Sequence, residues 1–282
     1  MTGNKLDRGL LRVRRKLRGL YLKRLCTRQV DALAGHQRLI VTPFYDVEGD
    51  YARPGATSRE IECVGRLLEI EKRYGIRSTY NVVARLALDV PQLVAAIARA
   101  GAEVASHSYD HSILTTMSRT AIEESLRRTR SVLEELGVTV RGHRSPQSAW
   151  NADVLDALIA CGYAWSAEDG SEPYPYRIRS RGGRVLWRFP VAGDDWQYEA
   201  AGASPREMLD RWRRHVGQAL GRRSHLALGF HPWIEAHPGR LTAVEEFLHW
   251  LAEHDRVEIM PFGDVLDLIE QSKAPELAAA HG

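Results

Sequence analysis

RLIVTPFYDVEGD, residues 38–50, starts as an apolar run and finishes on three acids, Asp46, Glu48 and Asp50. A run of this length and composition reads as an apolar strand. Parallel α/β folds collect their sites at the carboxyl ends of such strands. Side chains alternate along a strand, so Asp46 and Glu48 point to the same side. One carboxylate is then available to a cation and the other to a proton; the competing reading is a solvated acidic loop.

Outward from this strand the chain alternates. Further β-rich runs occupy 77–83, 103–109, 163–167, 185–191, 225–231 and 257–262. Helical periodicity fills 58–74, 90–100, 118–136, 152–160, 205–220, 242–254 and 263–271. Ser118 and Ser204-Pro205 suit helix starts, and Gly75, Gly101, Gly137 and Gly162 stand where helices would stop. The alternation predicts an α/β fold with a parallel sheet, open or closed into a barrel.

Polar residues cluster where other runs end: Ser106-His107-Ser108-Tyr109-Asp110-His111, Gly142-His143-Arg144-Ser145-Pro146 and Gly229-Phe230-His231-Pro232-Trp233. His107 and His111, four apart, can face one point from a turn or tight loop. Neutral imidazole is a leading ligand for zinc and similar ions, and an acid would complete an open site. The alternative is a pair of loop histidines capping a helix or facing water. Trp150, Trp165, Trp187, Trp212 and Trp250 read as packing aromatics. His143, His215, His225, His237, His249 and His254 read as surface or helix residues.

The net charge of +3 is unevenly spread. Residues 1–30 hold ten basic side chains and one acid, Asp7, so they carry +9 and the remainder −6. An acidic body excludes a nucleic-acid coat, and no specific nucleic acid is expected as a partner. Leu6, Leu10, Val13, Leu17, Leu20 and Tyr21 share one helical face, with arginines around the rest. Such a segment can lie on an anionic membrane surface, pack on the body or bind RNA. Three cysteines without a CxxC fit a reduced compartment. Charges interrupt the place where a signal peptide's apolar core would stand. The expected location is cytoplasmic, at most peripheral to the inner face of a membrane. Three parts are expected: a basic amphipathic segment, 1–36; a catalytic domain, 37–272; and a frayed tail, 273–282.

Together these segments resemble the NodB-homology polysaccharide deacetylases, carbohydrate esterase family four. Thr42-Pro43-Phe44-Tyr45-Asp46-Val47-Glu48 resembles the first motif of an intracellular-type subgroup, with Asp-x-Glu in place of adjacent aspartates. His107-Ser108-Tyr109-Asp110-His111 matches the second motif, Arg144-Ser145-Pro146 the third, and Phe230-His231-Pro232-Trp233 the last. The four occur in order over residues 38–270. The resemblance implies a distorted (β/α) barrel. It further implies Asp46 as general base, Arg144 as its orienting counter-charge and His231 as general acid. Glu48, His107 and His111 would hold one divalent ion, zinc ahead of nickel, cobalt, manganese or iron. The fourth motif is poorly matched by Trp165-Ser166-Ala167-Glu168-Asp169, whereas Asp194-Asp195-Trp196 resembles an aspartate pair of some members. Asp194, Asp195, Trp196 and Trp233 are therefore the candidate substrate-binding residues. Glu48 replaces the usual aspartate, and its longer arm leaves Asp46 and Asp50 as alternative ligands.

The resemblance implies a hydrolase of linear amides that removes an N-acyl group, chiefly acetyl, from a small or lipid-linked saccharide. Two other readings stand beside it. One is a metal-independent ureide or cyclic-amide hydrolase of allantoinase type on the same scaffold. The other is a catalytically silent protein recruited to membrane or RNA by its basic arm.

Overall fold

A computed structural model describes residues 31–237 and 239–279, with side chains to residue 272. Residues 1–30 of the basic segment thus lie outside the described residues. Nine strands are present among them: β1 (Leu39–Val47), β2 (Thr79–Val82), β3 (Glu103–Ser106), β4 (Gly142–Arg144), β5 (Trp165–Asp169), β6 (Tyr176–Arg179), β7 (Val185–Asp194), β8 (His225–Phe230) and β9 (Val257–Ile259). The helices are α1 (Thr57–Tyr74), α2 (Ala84–Asp89), α3 (Pro91–Arg99), α4 (Arg119–Glu135), α5 (Ala152–Ala160), α6 (Asp195–Ala200), α7 (Pro205–Ala219), α8 (Pro232–Glu235), α9 (Arg240–Ala252) and α10 (Phe262–Ala279). The seven parallel strands β1-β2-β3-β4-β5-β7-β8 close on β1, and β6 adds antiparallel to β7. This is the distorted (β/α) barrel that the resemblance implies, the closed one of the two forms the alternation allows.

The distortion lies along one edge of β1. Leu39–Val41 pair with β9, whereas Phe44–Val47 pair with β2. Leu39 and Val41 bond toward β9 and Val47 toward β2, while Ile40 bonds toward β8. Alternation puts the backbone of Pro43 on the same edge, in the gap where one neighbour has ended and the other begins. A proline inside a central strand normally removes a ladder bond. Here no ladder partner stands opposite it.

The barrel interior is filled from below by aromatic rings. Phe262, at the start of α10, lies 5.5 Å from Phe44, 4.8 Å from Trp165 and 5.0 Å from Phe189 between ring centroids. Two inward glycines make room for them. A Cβ on Gly142 would sit 1.8 Å from the Trp165 ring, and one on Gly229 would sit 2.7 Å from Phe44. Losing one such ring costs about 3–5 kcal/mol in transfer and cavity energy.

The helix boundaries follow the expected signals. Ser118 Oγ accepts from the Ala121 N–H, Ser204 and Glu207 form a capping box, and all four stop glycines have positive φ. Strands and helices of three to six residues (β4, β6, α2, α6 and α8) are too short to display a period. Two histidines depart from the surface reading. His143 is 0% exposed and His225 2%, because both lie on strands whose ends resemble loops in sequence. The Thr42 hydroxyl donates to the Met260 carbonyl, so it accepts from His225 Nε2–H at 3.0 Å. His143 Nδ1 meets Ser106 Oγ at 2.9 Å.

Candidate active site

The carboxyl end of the barrel gathers the candidates in one cavity of about 510 Å3. Inward residues of successive strands climb to it: Phe44 is followed by Asp46 on β1 and Glu48 just after it, Ala105 by His107 after β3, and Gly229 by His231 after β8. A larger cleft of about 740 Å3, around His215, Arg222 and Arg223, holds no comparable cluster of acids and histidines.

Glu48, His107 and His111 bring three ligand atoms within 4.8 Å of one another. The histidines are held by a tight turn in which Ser108 and His111 take φ of 67° and 63°. Its carbonyls are fixed by α2, whose Ala84 and Arg85 N–H groups donate to Ser108 and Tyr109. His107 Nδ1 lies 2.9 Å from the Arg144 carbonyl, which can only accept, so Nδ1 carries a proton. In neutral His107, Nε2 is then a bare lone pair, 3.2 Å from Glu48 Oε1. His111 Nε2 lies 2.9 Å from the same oxygen, yet it is buried and makes no hydrogen bond among the described residues. A lone pair aimed at a carboxylate requires a cation or an added proton between them. Two imidazoles, a carboxylate and a fixed tautomer fit a divalent metal ion.

Glu48 is itself clamped. Its second oxygen accepts from the Trp233 indole N–H at 2.9 Å, leaving one oxygen toward the histidines. Its backbone N–H and that of Gly49 donate to the buried carboxyl of Glu60 at 2.8 and 2.6 Å. Burial pushes Glu60 up to about 8. Burial also works to raise Glu48, but the charge of His231 and the nearness of the His107 and His111 imidazoles hold it well below the usual range. Asp50 is not brought to this site; its carboxylate accepts from Thr57 at 2.9 and 2.8 Å.

Asp46 stands across the cavity floor. It accepts from Asn81 Nδ2 at 2.7 Å and from Arg144 Nε at 3.4 Å. Arg144 also reaches Ser148, Asp169 and Asp194, with Asp194 Oδ2 at 3.2 Å. Burial alone would lower Arg144, but the charges of Asp46, Asp169, Glu168 and Asp194 keep it firmly protonated. Asn81, Glu168 and Asp169 are members of this cluster that sequence reasoning missed. All three end or nearly end a strand, which is the signal that identified the others.

His231 completes the arrangement, with Nε2 3.8 Å from Asp46 Oδ2 and 3.7 Å from Glu48 Oε1. Asp195 grips it twice, at Nδ1 (2.6 Å) and at the backbone N–H (2.7 Å). Burial opposes charge on His231, but Asp194, Asp195 and Glu48 outweigh it and raise His231 well above its ordinary range. A register shift in β7 between Val191 and Gly193 places Asp194 beside Gly229. The bulge re-aims the chain so that Asp194 and Asp195 both serve the site. Trp196 is 55% exposed at the cavity mouth, whereas Trp233 is 9% exposed beneath the Arg53 guanidinium, 5.2 Å from its ring centre.

Residues 60–165 match the polysaccharide deacetylase family model. Over that stretch, less than half of its length, the chain is similar to the polysaccharide deacetylases. A chitooligosaccharide deacetylase of Rhizobium leguminosarum bv. trifolii is 31% identical over 117 residues, 39% of this chain. The chain spans about half the length of that relative, 54%. Among solved structures, a Mycobacterium smegmatis protein assigned as a polysaccharide deacetylase superposes with a TM-score of 0.80 at 24% identity, covering 88% of this chain and 96% of that one. Puue allantoinase superposes at 0.73 with 15% identity, covering 88% and 95%. These superpositions support the barrel alone. His107, His111 and Arg144 lie inside the family match, while Asp46, Glu48, Asp194, Asp195 and His231 lie outside it.

Proposed function

We propose that this protein is a metal-dependent hydrolase that removes an N-acetyl group from an N-acetylglucosamine-containing saccharide. The observation that carries the reading is the placement of Asp46 and His231 beside the converging ligand atoms of Glu48, His107 and His111. The triad would hold a divalent ion, zinc first. When bound, such an ion lowers the pKa of water toward neutrality and polarises the scissile carbonyl. Asp46, aligned by Asn81 and Arg144, takes the proton of the attacking water. His231 arrives protonated, its ring aimed by Asp195, and gives its Nε2 proton to the departing amine. Base and acid therefore hold opposite protonation states in one cavity, which amide hydrolysis needs. The exposed Trp196 ring offers a stacking face for the sugar.

The chitooligosaccharide named for the Rhizobium relative is the first substrate to try. Release of acetate from N-acetylated chito-oligomers, lost with a chelator and restored by zinc, is the expected result. Turnover of allantoin by ion-free protein would replace this reading with the ureide hydrolase. A lipid-linked saccharide on an anionic membrane is the narrower proposal, and it rests on the +9 segment 1–30. Co-sedimentation with anionic liposomes that survives deletion of residues 1–30 would remove it.

A further inference from the structure

α8 is a single turn that leaves His231 and ends in Glu235. Glu235 is 0% exposed, and the chemistry above gives it no task. Neither of its oxygens meets a hydrogen-bond donor of the ordinary kind, an N–H or a hydroxyl, among the described residues. α8 packs against α6, whose first residue is Asp195, and the partner of Glu235 there is the Asp195 carboxyl. Two carboxyl groups share a hydrogen bond only when one of them carries the proton. Asp195 already accepts from the backbone N–H and Nδ1 of His231, which makes it the anion of the pair. The donor is therefore Glu235. Arg240, the cation that most favours its ionisation, is bonded to Glu199 and does not hydrogen-bond Glu235. Burial first, and then the negative charge of Asp195, raise Glu235 well above the carboxyl range.

We propose that Glu235 is a positioning residue whose carboxyl O–H pins Asp195 in the orientation that aims His231 at the leaving group. The proposal rests on the reading of His231 as general acid. With a third hydrogen bond, Asp195 is fixed between α8 and the start of the His231 turn. Without it, the carboxylate is free to rotate toward Asp194's side of the cavity, and the ring follows.

The test compares Glu235→Gln, whose amide still donates, with Glu235→Met, which fills the space without a donor. Glu235→Leu serves if the Met variant does not fold by circular dichroism. Each zinc-loaded full-length variant is assayed on an N-acetylated chito-oligomer and on 4-nitrophenyl acetate, whose phenolate leaves without a proton. Glu235→Gln should stay within about threefold of wild type on both, since donor geometry is kept. Glu235→Met should lose about 10–100-fold in kcat on the amide with KM unchanged, and less than about threefold on the ester. Equal losses on both substrates, or no loss on either, overturn the proposal. Should wild type cleave no amide, the functional reading fails, and the Nδ1 proton resonance of His231 still decides the inference. That resonance should persist in Glu235→Gln and shift or vanish in Glu235→Met. An unchanged resonance in Glu235→Met refutes the role of Glu235.

Discussion

His225 and His231 lie at opposite ends of the same strand β8, 2% and 7% exposed, and their chemistry is opposite. At the lower end His225 faces Thr42 and the ring of Phe189, and burial drives it down to about 3. At the upper end His231 faces Asp194, Asp195 and Glu48, and rises well above its ordinary value. His143 repeats the lower case: burial, then the charges of His107, Arg188 and Arg144, hold it well below. Burial is common to all three, so burial does not decide the charge. The carboxylates in view decide it. One end of the barrel is thereby a packed core, and the other is the end to which the proposed function assigns proton transfer.

The contrast is most severely tested by exchanging function between its ends. His231→Gln should reduce amide-hydrolysis kcat by about 10²–10⁴-fold, the range for a general acid, with little change in unfolding midpoint. His225→Gln should leave kcat within about threefold, because it touches nothing in the cavity. A comparable loss from both would erase the distinction.

A buried acid far from any cation extends the rule to carboxyls. Glu71 of α1 accepts from the Tyr80 hydroxyl at 3.2 Å, and burial raises it to about 7. The folded protein then keeps a proton that the unfolded chain releases above about 4.5, so stability falls as pH rises from 4.5 through 7. The loss amounts to roughly 3 kcal/mol by pH 8. Glu71→Gln should recover it, raising the urea midpoint at pH 8 and leaving that at pH 4 nearly unmoved.

His225 predicts the reverse slope. Its folded value lies below the unfolded 6.5, so its contribution is present above pH 6.5 and is lost as pH falls toward 3. At pH 4.5 the loss is about 2–3 kcal/mol. Chemical denaturation of His225→Gln between pH 7 and 4.5 should give a flatter profile than wild type. The smallest effect belongs to the rim: Trp196→Ala should raise KM for a chito-oligomer about 3–10-fold with kcat kept, by loss of one stacking face. A fall in kcat alone would place Trp196 in the chemistry instead.

These contrasts explain what was legible in the sequence. Asp46, Glu48, His107, His111, Arg144 and His231 were visible because each stands just beyond or at the end of a recognisable strand, and alternation gives its direction. Asn81 and Asp169 occupy equivalent places but belong to no repeated pattern. The β7 bulge that delivers Asp194 is invisible, since an extra residue in a strand has no signature of its own. His143 and His225 were misplaced because polar residues at short or starting strands look like loop residues. Only the closed barrel, with Gly142 and Gly229 vacated for neighbouring rings, makes those positions interior.

The seam at Pro43 also sets an order of events. β1 is made before its partners: its lower edge waits for β9 and its other side for β8, about 180 to 220 residues later. Asp46 and His231 sit beside the junction where β1 meets β8, at Tyr45 and Phe230. Such distant pairing is slow to form and leaves strand edges open to other chains in the meantime. On the proposed reading, a polypeptide whose barrel has not yet closed therefore holds the base without the acid.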